Sequence, residues 1–227
     1  MSLKMENVNL VYDMGKELQT YALKNITISL KGNEMIGIMG PSGSGKSSLL
    51  YTFAGLKCPT SGKAYYNKIK YSEISSDENA ELRRKNFGFI FQKHFLIDYM
   101  TVLQNVLTPI NDDSNEAKMK AVAILDKLHI LHLSGKKPHQ LSVGQKQKVA
   151  IARAFVGEPK VIFADEPTAA LDHENALKVM DFFENYRNEK MIIIVTHDKS
   201  ILKDADSIIN MFDGSVTSIE TGEEIED

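Results

Sequence analysis

The chain has 227 residues, 43% hydrophobic and 25% charged, a balance that supports a packed core and excludes a disordered chain. Lys and Arg number 27 against 30 Asp and Glu, so the net charge of −3 supplies no general field for nucleic acid, and no nucleic-acid partner is expected. Apolar runs such as Met191–Val195 fall far short of the roughly 20 residues of a membrane helix, and the single cysteine, Cys58, can form no internal disulfide.

Met1–Leu10 lacks the basic-then-apolar order of a secretory signal, so the expectation is a soluble intracellular protein. Asn7–Val11 and Ile26–Leu30 read as strands joined by a polar turn around Met14–Leu18. Met35–Met39, a compact apolar run ending at Gly40, reads as a buried strand. A helix is expected over Lys46–Ala54, with Gly55 placed to end it, and then a strand over Gly62–Tyr66, antiparallel to the early ones. Ala117, Ala121, Ile124, Leu125 and Leu128 repeat at helical spacing and make Asn115–Leu128 an amphipathic helix. A second helix starts near Ser142 and continues through Val149–Phe155. A strand at Val161–Ala164, a helix from Asp172 to about Tyr186 and strands at Met191–Val195 and Ser207–Met211 follow, with Asp213-Gly214 as a hairpin turn. Glu220–Asp227 is acidic and reads as a solvated end. Gln92–Leu141 carries almost no strand signal and reads as a helical insertion. Apolar strands alternating with helices predict an α/β fold with a mainly parallel sheet covered on both faces.

Gly40-Pro41-Ser42-Gly43-Ser44-Gly45-Lys46-Ser47 fits the phosphate-loop pattern, with a strand before it and a helix after it. The glycines let backbone N–H groups turn inward as an anion nest, and the helix N-terminus adds unpaired donors. Lys46 is expected to reach the β- and γ-phosphates of a nucleotide, and Ser47 to hold Mg²⁺. Val161-Ile162-Phe163-Ala164-Asp165-Glu166 is an apolar strand that delivers two carboxylates at its C-terminal end, where ligands sit in open parallel sheets. Taken alone, such a pair is more often a helix cap and its neighbour. Beside a phosphate loop, Asp165 is expected to coordinate Mg²⁺ and Glu166 to polarise the attacking water.

At Leu141-Ser142-Val143-Gly144-Gln145, continuing to Ala154, the chain resembles the signature helix of ATP-binding cassette proteins. Other elements follow in that family's order. Tyr12, 28 positions before Gly40, resembles the aromatic that stacks on adenine, and Gln92 the glutamine at the entrance to the helical subdomain. Ala170-Leu171-Asp172 resembles the loop after the catalytic glutamate, and His197 the switch histidine. The resemblance implies a P-loop NTPase core with a mainly parallel sheet, an N-terminal antiparallel β-subdomain and an inserted helical subdomain. It places the core at 1–91 and 159–227 and the helical subdomain at about 92–158.

The resemblance further implies that Glu166, His197 and Gln92 are catalytic. Tyr12, Gly40, Ser42, Gly43, Ser44, Gly45, Lys46, Ser47, Ser48, Ser142, Gly144, Gln145 and Asp172 would contact ATP, and Ser47, Gln92 and Asp165 would hold Mg²⁺. The signature of one subunit would complete the phosphate site of another copy, or of a related cassette, in a head-to-tail dimer. A separate transmembrane permease would be the partner, placing the chain at the cytoplasmic face of the cell membrane. Tyr12-Asp13-Met14-Gly15, Tyr21–Ile26 and Leu82–Gln92 resemble cassettes of lipoprotein-release, macrolide- and peptide-export and cell-division systems. The leading expectation is an export or lipoprotein-release ATPase. The alternative is a cell-division cassette that signals through a membrane partner. A soluble cassette acting on ribosomes or DNA is disfavoured by the single phosphate loop and the absence of heptads. Two departures stand out: Pro109–Glu116 is shorter than in many relatives, altering the surface toward a membrane partner. Val143 replaces the first signature glycine and predicts a functional but weaker closed dimer.

Overall fold

In the computed structural model, residues 1–15 and 19–222 are described. Leu3, Met5, Val8 and Leu10 turn one buried face of β1 (Ser2–Tyr12) toward the core. The alternation slips by one residue at Asn7, whose positive φ of 49° marks an irregularity that asparagine tolerates. β1 pairs antiparallel with β2 (Thr20–Lys31) and with β4 (Ser61–Tyr66), and β5 (Ile69–Lys70) completes a sheet of order β2-β1-β4-β5. The turn expected around Met14–Leu18 falls partly on residues 16–18, which lie outside the described residues.

The chain divides into two compact units, Met1–Arg83 with Ile193–Asp227, and Arg84–Ile192. Besides the antiparallel sheet, the first unit holds β3 (Met35–Met39) paired parallel with β9 (Ser207–Phe212), which pairs antiparallel with β10 (Ser215–Thr221). Asp213 and Gly214, at φ 44° and 79°, form the β9–β10 turn with the two positive φ angles that a tight hairpin favours. α1 (Lys46–Phe53) ends as expected before Gly55, at φ 63°. Its end is tied down by the Tyr71 hydroxyl, which donates to the Phe53 carbonyl at 2.7 Å, and by Arg83, which donates to the Gly55 carbonyl at 3.0 Å. α2 (Ser76–Asn86) runs across the division in sequence.

In the second unit, β6 (Phe87–Ile90) pairs parallel with β7 (Val161–Asp165), in register from Phe87 opposite Val161 to Ile90 opposite Ala164. Its helices are α3 (Val102–Leu107), α4 (Asn115–Lys127), α5 (Val143–Phe155) and α6 (His173–Glu184). Phe155 anchors an aromatic cluster with Phe182, Phe183 and Tyr186 at centroid distances of 4.9, 5.6 and 5.0 Å. β8 (Met191–Val195) begins here, where the Met191 N–H donates to the Lys160 carbonyl. It ends in the first unit, where the Thr196 N–H donates to the Ile38 carbonyl.

The expected strands and the four expected helices are present, with ends moved by a few residues. The α/β architecture, with an antiparallel sheet, parallel pairing and flanking helices, agrees with the fold that the resemblance implies. Three elements have no counterpart in the sequence reading, β5, α2 and β6, whereas β10 is the second arm of the hairpin expected at Asp213-Gly214. α2 buries only Asn79 and Leu82, so it carries no apolar stripe to read. β6 is four residues long and contains Gly88, where a Cβ would stand 2.3 Å from the Ala154 carbonyl oxygen, so packing against α5 excludes any side chain. The expectation of a solvated end from Glu220 is corrected in part: Glu220 and Thr221 belong to β10, paired with Ile208 and Ser207, while 223–227 lie outside the described residues.

Candidate functional site

β3 feeds Gly40–Ser47 directly. At Gly40, φ is 146° and a Cβ would meet the Met211 carbonyl oxygen at 2.2 Å; at Gly45, φ is 99° and a Cβ would meet the Ala22 carbonyl oxygen at 2.3 Å. Both positions therefore require glycine, on angle and on space. Gly43 has nothing within 4 Å of its missing Cβ, which leaves the middle of the loop open to a ligand. α1 begins with no side-chain cap and no acidic residue in its first turn, so its N-terminus keeps its positive character. The Lys46 ammonium donates to the carbonyls of Gly40 at 2.9 Å and Pro41 at 3.0 Å, folding back over the loop. Ser44 Oγ is buried without a hydrogen-bond partner. An orphaned hydroxyl, an uncapped helix start and a lysine on one short loop fit a phosphate group.

Tyr12 ends β1 with its hydroxyl 3.2 Å from Ser48 Oγ, which sets its ring beside the first turn of α1. The Lys57 ammonium lies 5.3 Å from the ring centroid. His197 is exposed and follows Thr196, whose N–H bonds to Ile38 just before the phosphate loop. The first unit thus gathers Tyr12, the loop residues Gly40 to Ser48 and His197.

The second unit holds Gln92, Asp165, Glu166, Ser142, Gly144, Gln145 and Asp172. Asp165 is buried at the end of β7, and Glu166 follows it at φ 52°. A glutamate at positive φ costs about 1–3 kcal/mol and persists where surrounding structure imposes it. Gln92 is exposed in the segment after β6. Further along, Phe95 also has positive φ, 46°, unusual for a bulky residue. The two arms of Arg153 hold this turn: Nη1 donates to the Phe95 carbonyl at 2.7 Å and Nη2 to the His94 carbonyl at 2.6 Å. Burial holds the His94 pKa below its ordinary value, with Lys146 and Arg153 adding to the effect and the Gln147 side chain opposing it.

Ser142 is the N-cap of α5. Its Oγ accepts from the Gln145 N–H at 3.2 Å, while Gln145 Oε1 accepts from the Ser142 N–H at 2.9 Å. The Ser142 hydroxyl proton is left to donate outward. Val143 is the first helical residue and 59% exposed, so its backbone carries no penalty from the missing glycine. A Cβ on Gly144 would stand 3.0 Å from Leu171 Cδ2 and 3.3 Å from the Ala170 carbonyl oxygen, so α5 starts tight against the loop before α6. Asp172 caps α6, accepting from the Asn175 N–H and from Asn175 Nδ2, and these bonds lower its pKa. Lys148, buried on α5, donates to Asn175 Oδ1 at 2.8 Å. One amide therefore links the signature helix to the Asp172 cap.

Sequence reasoning missed Arg153 and the Lys148–Asn175–Asp172 chain. The signal available was two cations, Lys148 and Arg153, on or beside the buried face of α5. Arg153→Ala is expected to lower stability by about 3 kcal/mol, since hydrogen bonds from a charged group contribute about 1.5–3 kcal/mol each. The check is the urea midpoint, which would stay put if the guanidinium merely covered the surface.

The family profile described as "ABC transporter" matches residues 23–169. The uncharacterised ABC transporter ATP-binding protein MJ0796 of Methanocaldococcus jannaschii is 39% identical over 94% of this chain and 94% of its own length. The lipoprotein-releasing system ATP-binding protein LolD of Pseudoalteromonas translucida is 38% identical over 95% of this chain and 94% of its own. Two dimeric structures of MJ0796, one of them a post-hydrolysis state bound to ADP and Pi, match with a TM-score of 0.91 at 38% identity, covering 96% of this chain and 98% of theirs. Cradle, signature helix and relatives agree over nearly the full length, and the chain belongs to the ABC transporter family, as one of its ATP-binding, ATP-hydrolysing cassettes.

Proposed function

We propose that this ATP hydrolase drives a separate membrane subunit by closing a head-to-tail dimer around two ATP molecules, in a system of the lipoprotein-release or antimicrobial, peptide or macrolide export type. The observation that carries the reading is the uncapped N-terminus of α1 behind Gly45 together with the outward Ser142 hydroxyl at the start of α5, where one triphosphate needs only the first. The dimers of MJ0796 and its ADP- and Pi-bound state support a second copy as the owner of the second anion site. LolD, named as the ATP-binding protein of a lipoprotein-releasing system, supports the export branch.

In this reading Lys46 and the loop backbone hold the β- and γ-phosphates, Tyr12 stacks on the base and Ser142 with the Gly144 N–H reaches the partner's γ-phosphate. Glu166 takes the proton of the attacking water, and His197 donates to the γ-phosphate. Ser47, Asp165 and Gln92 offer the hard oxygen donors that Mg²⁺ takes alongside phosphate. When bound, that ion neutralises charge between the β- and γ-phosphates. Residues about 92–158 act as the helical subdomain in this reading.

No helix among the described residues is long and apolar enough to cross a membrane. In this reading a cavity of about 500 Å³ in the second unit, lined by Phe89, Phe91, Phe95, Pro109, Ile110 and Arg153, is the groove that takes the membrane subunit. It adjoins the segment that carries Gln92, so an inserted partner helix would move that glutamine. Co-purification from native membranes tests the whole reading. Recovery of a permease supports it, recovery of a septal complex favours the cell-division alternative, and purification without any membrane protein overturns it.

Two quantitative expectations arise here. Tyr12→Ala should weaken ATP and GTP binding to a similar extent, by about 1–3 kcal/mol, while Tyr12→Phe changes little; a Tyr12→Ala variant that binds ATP as the wild type does in calorimetry would shift the platform to Tyr21 or remove it. Val143→Gly in a Glu166→Gln background should lower the ATP concentration needed for dimerisation about tenfold, by relieving bulk at the interface. Because Val143 is helical and exposed, no backbone relief enters that figure, and an unchanged midpoint in light scattering would show that valine fits the interface.

A further inference from the structure

A second cavity, of about 410 Å³, lies in the second unit between α4, the end of α5 and the turn after α6. None of its lining residues has a part in the reading above. Its distinctive feature is one aromatic ring served by two cations. The Lys127 ammonium lies 5.2 Å from the Tyr186 ring centroid and donates to the Tyr186 hydroxyl oxygen at 3.4 Å. The Lys190 ammonium lies 5.6 Å from the same centroid. Lys190 is only 7% exposed, and its ammonium has no hydrogen-bond or carboxylate partner among the described residues. Two ammonium groups share the Tyr186 ring, and an anion in the cavity would offset their mutual repulsion.

The neighbouring charges leave the two lysines unmatched. Glu158, at the cavity wall, already faces Lys120 at 3.5 Å, as does Glu116, and the two carboxylates raise the Lys120 pKa. Glu189 lines the rim and forms an ion pair with neither Lys127 nor Lys190. The Tyr186 oxygen accepts from Lys127, so its own proton remains to be donated. Lys127, Lys190 and Tyr186 therefore present three donors around one ring, beside the apolar wall of Phe155. That is a set suited to a phosphate group on a small organic body.

We propose that Lys127, Lys190 and Tyr186 form a second anion site, separate from the nucleotide loop, that takes the phosphate of a soluble phosphate ester or of a lipid headgroup. The test uses the full chain carrying Lys46→Ala, so that the phosphate loop holds the probe more weakly and does not mask a second site. Inorganic pyrophosphate is titrated by calorimetry in one arm. In the other, the chain is floated with phosphatidylglycerol vesicles, against phosphatidylcholine vesicles as the neutral control. Binding in the first arm assigns a soluble ligand and binding in the second a headgroup, and either supports the site if Lys127→Met and Lys190→Met each weaken it about tenfold. Methionine keeps the apolar stem, and Tyr186→Phe, which removes only the hydroxyl donor, should weaken binding severalfold with the fold intact. No binding in either arm, or binding unchanged by all three substitutions, overturns the proposal.

Discussion

Glu166→Gln is expected to abolish ATP turnover while leaving nucleotide binding intact and trapping an ATP-bound dimer. In the proposed mechanism the carboxylate acts in the attack step, and removal of a general base typically costs 10²–10⁴-fold, roughly 3–5 kcal/mol of barrier. Glutamine keeps the side-chain length and the backbone at φ 52°, so it changes the proton acceptor and little else. It also removes a negative charge near the γ-phosphate, which should favour the closed state. Phosphate release measured with light scattering reads both effects, and wild-type turnover would sink the assignment. Glu166→Gly separates backbone from side chain. It should be equally inactive, yet more stable by about 1 kcal/mol because glycine occupies positive φ without strain.

Lys46→Ala should fail earlier, at binding. Its ammonium is the one side-chain charge on the phosphate loop, and a charge-assisted hydrogen bond contributes about 1.5–3 kcal/mol, so ATP affinity should fall about 10- to 100-fold. The bonds from Lys46 to the Gly40 and Pro41 carbonyls show that the side chain already lies over the loop mouth. Calorimetric titration of ATP decides it, and an unaltered affinity would mean that backbone donors alone hold the phosphates.

What was legible in the sequence was whatever had a repeat or a fixed spacing. The run Met35–Met39 before Gly40, the helix after Gly45 and the helix that starts near Ser142 are local patterns, and the structure holds each where the sequence predicts it. What was illegible depended on long-range contact. Gly88 looks like a loop glycine until α5 is seen against its Cα. Arg153 reads as an ordinary helix residue until its guanidinium is seen on two carbonyls some sixty positions earlier. The positive φ of Glu166 has no sequence signature, since glutamate is not a residue that seeks it. Asp172 also caps α6 and is joined through Asn175 to Lys148, a link that no local pattern announces.

In the proposed mechanism each ATP is held by the phosphate loop of one chain and the signature of another. Complementation tests it most directly. Lys46→Ala removes the loop's charge, and Gly144→Asp destroys the signature, where even a Cβ stands 3.0 Å from Leu171 and a carboxylate would oppose phosphate. Each variant alone should be inactive. Mixed in equal amounts, half of the dimers should pair one of each and carry one intact composite site, so hydrolysis should return to about a quarter of the wild-type rate. A mixture as inactive as its components would contradict the account, because it would place both halves of the site on a single chain.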